Sequence, residues 1–173
     1  NQTKSYLKNP QPVSDNLLYG EFHENSKHTT RMPYMKPVYD VLEKNRGKVI
    51  YFDFWARWCP PCLAEMEPLK QLRSKFSTDD LIIYSICVSE PKEQWEECLN
   101  EYSLRNRGIE CVHVTDYLGI DNYQKIRKQW KIDRMPYYIL INRQGQIIDF
   151  GTAARPSNPQ LVSRIEEAVK DTK

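Results

Sequence analysis

The chain sets two cysteines between an apolar run and a helical repeat, and that junction constrains its fold more than any other feature. Val49-Ile50-Tyr51-Phe52-Asp53-Phe54 is apolar apart from one carboxylate. Trp55-Ala56-Arg57-Trp58-Cys59-Pro60-Pro61-Cys62 follows directly, and Leu63, Met66, Leu69, Leu72 and Phe76 then recur at helical spacing. A buried strand that feeds at once into a helix belongs to a layered α/β arrangement. The first N–H groups of such a helix have no partner inside it, and its dipole is positive at that end. A sulfur anion is stabilised there, and the thiolate is the reactive form of cysteine. The junction therefore points to a reversible dithiol/disulfide couple.

The same alternation continues along the chain. Pro37–Gly47 reads as a short helix, with proline near its start and glycine just past its end. Leu81–Val88 is a continuous apolar run, as in a strand covered on both faces. Ser89-Glu90-Pro91 opens a helix that carries Trp95, Cys98, Leu99 and Tyr102 on one side. Cys111–Val114 reads as a short strand, and Asp121-Asn122 begins a helix through Tyr123, Ile126 and Trp130. Pro136 precedes the strand Tyr137–Ile141, a turn at Asn142–Gly145 and a second strand, Gln146–Phe150. Asn158-Pro159 caps a last helix with Leu161, Val162, Ile165, Ala168 and Val169 inward. The expected fold class is α/β, a mixed central sheet with helices on both faces and an N-terminal extension. That extension or linker covers residues 1–36, which are polar and carry only Leu17, Leu18, Tyr19 and Phe22 as apolar anchors. Residues 37–173 form the expected domain.

Composition narrows the function classes. A chain of 173 residues suits one domain with its own core. The formal net charge is +2 with no polybasic run, so no nucleic acid is expected as partner. The longest apolar runs are too short to span a bilayer. The first residue is Asn1 and no charged-then-apolar leader follows, so the chain reads as a processed protein or a fragment of a longer one.

The segment Phe54-Trp55-Ala56-Arg57-Trp58-Cys59-Pro60-Pro61-Cys62 resembles the active-site segment of the thioredoxin superfamily. More narrowly, it resembles the TlpA-like (ResA-like) thiol-disulfide oxidoreductases of the bacterial cell envelope. Arg134-Met135-Pro136-Tyr137-Tyr138-Ile139-Leu140-Ile141-Asn142 resembles the cis-proline segment of that family and the strand after it, and Arg143–Ile148 its terminal hairpin. The resemblance implies a thioredoxin-like fold and exchange of disulfides with protein substrates bearing disulfides or dithiols. It also implies an upstream membrane or periplasmic reductant. The location implied is the periplasm or cell envelope, with or without an anchor outside this chain. The chain is read as a monomer with no cofactor and no metal.

The residues assign the roles. Cys59, at the helix entrance, is expected to face solvent and act as nucleophile, and Cys62, one turn inside, to resolve the mixed disulfide. Pro60 and Pro61 lack N–H donors and limit how many amides reach the Cys59 sulfur. Asp53, between two aromatics in an apolar strand, should lose hydration, gain a raised pKa and take a proton from Cys62; its bland alternative is an ion pair with a lysine or a solvent-facing edge. Trp58 is expected as an apolar platform for substrate. By resemblance, Pro136 lies cis against the dithiol and Met135 offers backbone hydrogen bonds to an extended substrate. Met135 stands where relatives more often carry Thr or Val and adds a flexible apolar contact. Pro68 comes one residue after the position of the family's helix-kinking proline, so a kink is expected to be shifted or absent. Cys87, Cys98 and Cys111 are read as core, and His23, His28 and His113 receive no role.

Two other classes compete. A redoxin-type peroxidase needs Thr-x-x-Cys, but Ala56 stands three residues before Cys59. A non-catalytic dithiol module that binds a metal or serves as a chaperone would hold copper through cysteines spaced differently, or zinc with Cys111 and His113 as the second ligand pair.

Overall fold

A computed structural model describes residues 33–171. The extension assigned to residues 1–36 lies outside the described residues over positions 1–32.

A single 3-10 turn, Pro33–Met35, leads into α1 (Lys36–Lys44), where Pro37 occupies the first turn and needs no N–H partner. Val38, Tyr39, Val41 and Leu42 bury one side of it, and Gly47 (φ +87°) turns the chain toward the sheet. The strands β1 (Val49–Trp55), β2 (Leu81–Cys87), β3 (Ile109–His113), β4 (Tyr137–Ile141) and β5 (Ile147–Gly151) form one sheet in the order β3-β2-β1-β4-β5. β1 is central and every residue in it is buried. It runs parallel to β2, with Asp53 opposite Ser85, and antiparallel to β4, with Asp53 opposite Tyr138. β2 and β3 are parallel, and β4 and β5 form a hairpin.

Strand alternation sends the two sides of β1 into different cores. Ile50, Phe52 and Phe54 join Val38, Leu42, Ile126 and Trp130 on the face covered by α1 and α6 (Ile120–Gln129). Val49 and Tyr51 join Leu69, Leu72, Leu161 and Ile165 on the opposite face, under α3 (Met66–Lys75) and α7 (Pro159–Lys170). Asp53 is in register with that second set. A third cluster forms at the C-terminal ends of β1 and β2. It gathers Trp55, Cys59, Cys62, Met66, Cys87, Trp95, Cys98 and Leu99, with α2 (Pro60–Ala64) and α4 (Lys92–Glu101) contributing. A four-residue helix, α5 (Val114–Tyr117), joins β3 to α6.

Several boundaries differ from the sequence expectation. The helix after the cysteines is interrupted at Glu65. Pro68 explains this, because within a continuous helix its ring would clash with the Ala64 carbonyl and its missing N–H would break the ladder; after the interruption it sits in the first turn of α3. β3 begins two residues earlier than expected and ends at His113, whose side chain accepts from the Thr115 N–H and caps α5. α4 begins at Lys92 rather than at Ser89, with Pro91 as N-cap.

Candidate active site

Cys59 occupies the N-cap of α2 in extended backbone, and Cys62 lies in the first turn. The two are joined by a disulfide, and the Cys62 N–H donates to the Cys59 Sγ at 3.3 Å. Both are buried, Cys59 at 3% exposure and Cys62 at 2%. This corrects the expectation that Cys59 faces solvent. In the disulfide state both sulfurs belong to the cluster of Trp55, Met66, Cys87 and Trp95, and the exposed groups beside them are Arg57, Trp58, Pro60 and Pro61. The two tryptophans of the motif part company: Trp55 is 1% exposed in the core and Trp58 is 70% exposed.

Asp53 is buried, in register with the strand positions that α3 and α7 cover. Its Oδ2 accepts from the Ser85 hydroxyl at 3.2 Å, on the neighbouring strand. Among the described residues no lysine pairs with it, and it lies on the central strand rather than at a solvent-facing edge. Burial pushes its carboxyl up from 3.8 to about 7; the Ser85 hydrogen bond pulls against this rise and the negative charge of Glu65 adds to it. Glu65, at the break between α2 and α3, accepts from the Ser157 N–H at 2.9 Å and the Ser157 hydroxyl at 2.8 Å.

The Met135–Pro136 peptide bond is cis. Pro136 is buried, and Met135 is half-buried against the cluster that contains Cys59 and Cys62. A second cis bond, Glu90–Pro91, lies on the loop after β2.

Cys87 and Cys98 are buried and Cys111 is half-buried, and all three are free thiols. Burial raises each of them above the ordinary thiol range, Cys111 to about 11. At neutral pH they stay protonated and poorly nucleophilic, so they do not compete with the disulfide pair. Among the described residues no group of three or more His, Cys, Asp or Glu side chains could hold a metal ion, and no helix is long and apolar enough to cross a membrane.

Sequence reasoning missed two features. The Arg57 guanidinium donates to the Gln94 Oε1 at 2.7 Å, and its backbone N–H donates to the Ser89 hydroxyl at 2.9 Å. His113, given no role, is fully buried and bonded through both ring nitrogens to Thr115 and Ser89. Nothing local in the chain signals the links of Arg57 to Ser89 and Gln94 or of His113 to Ser89, since those partners lie 24 to 37 residues apart.

A five-stranded mixed sheet with a Cys-Pro-Pro-Cys disulfide at the end of its central strand, and a cis-proline loop packed against the same cluster, defines a thioredoxin-like redox protein. The family model described as Redoxin matches residues 36–169, and the chain belongs to that family. Among curated relatives, the thiol-disulfide oxidoreductase ResA of Halalkalibacterium halodurans is 25% identical over 129 residues, which cover 75% of this chain and 66% of that protein. ResA of Bacillus anthracis is 25% identical over 108 residues, 62% of this chain and 57% of that protein. These matches span less than two thirds of those relatives' own length. A solution structure from Bacteroides vulgatus, described as a thiol-disulfide oxidoreductase, superposes with a TM-score of 0.58 at 32% identity over 73% of this chain and 76% of that one. A thiol:disulfide interchange protein from a Bacteroides species shares the fold, with a TM-score of 0.61 at 23% identity over 76% and 80% of the two chains.

Proposed function

We propose that the protein is a thiol-disulfide oxidoreductase that reduces disulfides in protein substrates. The observation that carries this reading is the Cys59–Cys62 disulfide, closed at a helix start with a buried, easily protonated carboxyl on the strand before it. In the reduced protein the Cys59 thiolate attacks one sulfur of a substrate disulfide. The bond between the substrate sulfurs breaks, one leaves as a thiolate, and a mixed disulfide forms. Asp53 takes the proton of the Cys62 thiol. The Cys62 thiolate then attacks the Cys59 Sγ and expels the second substrate sulfur, which leaves Cys59–Cys62 oxidised. An upstream membrane or periplasmic dithiol restores the reduced pair.

Trp58 is the apolar platform for the substrate chain. It and Ile120 are the only large hydrophobic side chains strongly exposed among the described residues, which suits a protein that works as a monomer. Pro60, Pro61, Met135 and Pro136 complete the rim. A cell-envelope location follows from the resemblance of the Phe54–Cys62 segment to the TlpA-like oxidoreductases of the bacterial cell envelope. A peroxidase is disfavoured within the same family because Ala56, fully buried three residues before Cys59, carries no hydroxyl to hold a peroxide.

The test is insulin reduction by the reduced protein. Turnover is expected with the wild type and none with Cys59→Ser, while Cys62→Ser traps substrates as stable mixed disulfides. Turnover by Cys59→Ser equal to the wild type would overturn the reading.

A further inference from the structure

A buried polar network lies under the loop that presents the dithiol, and the exchange chemistry as described makes no use of it. Beyond the end of β2, the Val88 N–H donates to the Trp55 carbonyl at 2.8 Å, and Ser89 follows with 7% exposure. The Ser89 hydroxyl accepts the Arg57 N–H at 2.9 Å and lies 3.3 Å from the Cys87 Sγ. The Ser89 carbonyl lies 2.8 Å from the Nε2 of His113. The Nδ1 of His113 accepts from the Thr115 N–H at 3.3 Å and lies 2.7 Å from the Thr115 hydroxyl. These contacts assign the hydrogen to Nε2, which donates to Ser89. One imidazole thus bridges the end of β3 to the loop after β2, and that loop in turn grips the loop after β1.

The grip falls two residues before Cys59. Inside that loop the backbone is tied from the Cys59 N–H to the Ala56 carbonyl at 3.2 Å, and Pro60 and Pro61 have no N–H to offer. The Arg57 N–H is part-buried, so loss of its acceptor removes a hydrogen bond and leaves the loop free to shift. We propose that Ser89 and His113 are positioning residues for disulfide exchange. His113 fixes the Ser89 carbonyl, Ser89 fixes the Arg57 amide, and together they hold Trp58 and Cys59 where the sulfur meets the start of α2. This rests on the oxidoreductase reading and adds to it two residues that touch neither substrate nor the sulfurs of Cys59 and Cys62.

The experiment compares the wild type with Ser89→Ala, Ser89→Thr and His113→Gln. It measures insulin reduction, the pH dependence of Cys59 alkylation, and thermal melting. Ser89→Ala is expected to keep a cooperative melt and to lose about fivefold in kcat, one hydrogen bond's worth of positioning, with KM nearly unchanged. Its alkylation profile moves toward that of a free cysteine. Ser89→Thr restores both readouts because the hydroxyl is kept, and His113→Gln, which keeps an N–H toward Ser89, loses less than Ser89→Ala. An alanine variant with wild-type kcat and alkylation profile would overturn the proposal, as would a defect that threonine does not restore. Should Ser89→Ala fail to fold, hydrogen exchange in the wild type decides: the Arg57 amide is expected to be protected despite its exposed side chain, and rapid exchange there removes the clamp. A wild type unable to reduce insulin sinks the oxidoreductase reading instead, and the Arg57 protection still reports on the clamp separately.

Discussion

Asp53 carries a cost that depends on pH, and that cost ties its chemistry to the stability of the fold. Its folded pKa of about 7 lies above its ordinary 3.8. Between those values the folded chain holds more protons than the unfolded one, so stability falls as pH rises through that window and levels off above it. Asp53→Asn removes the titration and keeps a partner for the Ser85 hydroxyl. The variant is expected to be more stable than the wild type at pH 8, on the order of 2–4 kcal/mol, and close to it at pH 4. Urea unfolding at the two pH values checks this, and an equal difference at both would show that the carboxyl does not titrate in the folded state. The same substitution should slow resolution of the mixed disulfide and flatten its rise through pH 7. The sequence disclosed Asp53 because a carboxylate between Phe52 and Phe54 in an apolar run has few ways to stay wet. It could not disclose Ser85 as partner, because register between strands is a tertiary property. Nor could it disclose the tie between Ser89 and His113 or that between Ser89 and Arg57, which join residues 24 and 32 positions apart.

At the scale of elements, periodicity was a good guide to where helices and strands lie and a poor one to where they break. The interruption at Glu65 follows from Pro68, yet nothing local says that Glu65 would be anchored by Ser157 from the loop before α7. That loop also carries Asn158, whose Oδ1 accepts from the Gln160 N–H at 3.0 Å and whose Nδ2 donates to the Ala153 carbonyl at 2.8 Å. The Asn-Pro pair was legible as a helix start, since the cap and the N1 proline are both local signals. The burial of Cys59 was not, because a disulfide draws its sulfur toward Cys62 and into the cluster around Trp55 and Trp95. Asn158→Ala removes the cap and is expected to cost about 1 kcal/mol of stability. A denaturant midpoint unchanged by the substitution would mean that Pro159 alone suffices to start α7.

The whole molecule has two poles. The dithiol, the cis-proline loop and the Ser89–His113 network gather where β1 and β2 end. Where those strands begin, a single side chain joins three segments. The Arg143 guanidinium donates to the Val169 carbonyl at the end of α7, to the Gly47 carbonyl before β1 at 3.0 Å, and to the Asp80 carboxylate before β2 at 2.9 Å. The fixed fork of arginine suits such a three-way tie, because its donors diverge in one plane. The central sheet separates this knot from the sulfurs, so it should bear on stability and not on exchange. Arg143→Ala leaves two carbonyls without their donor and is expected to lower the unfolding free energy by about 2 kcal/mol. At temperatures where the variant stays folded, kcat for insulin reduction should equal that of the wild type. A fall in kcat without loss of stability would mean that the start of the sheet communicates with its far end, and that the division into a structural and a chemical pole does not hold.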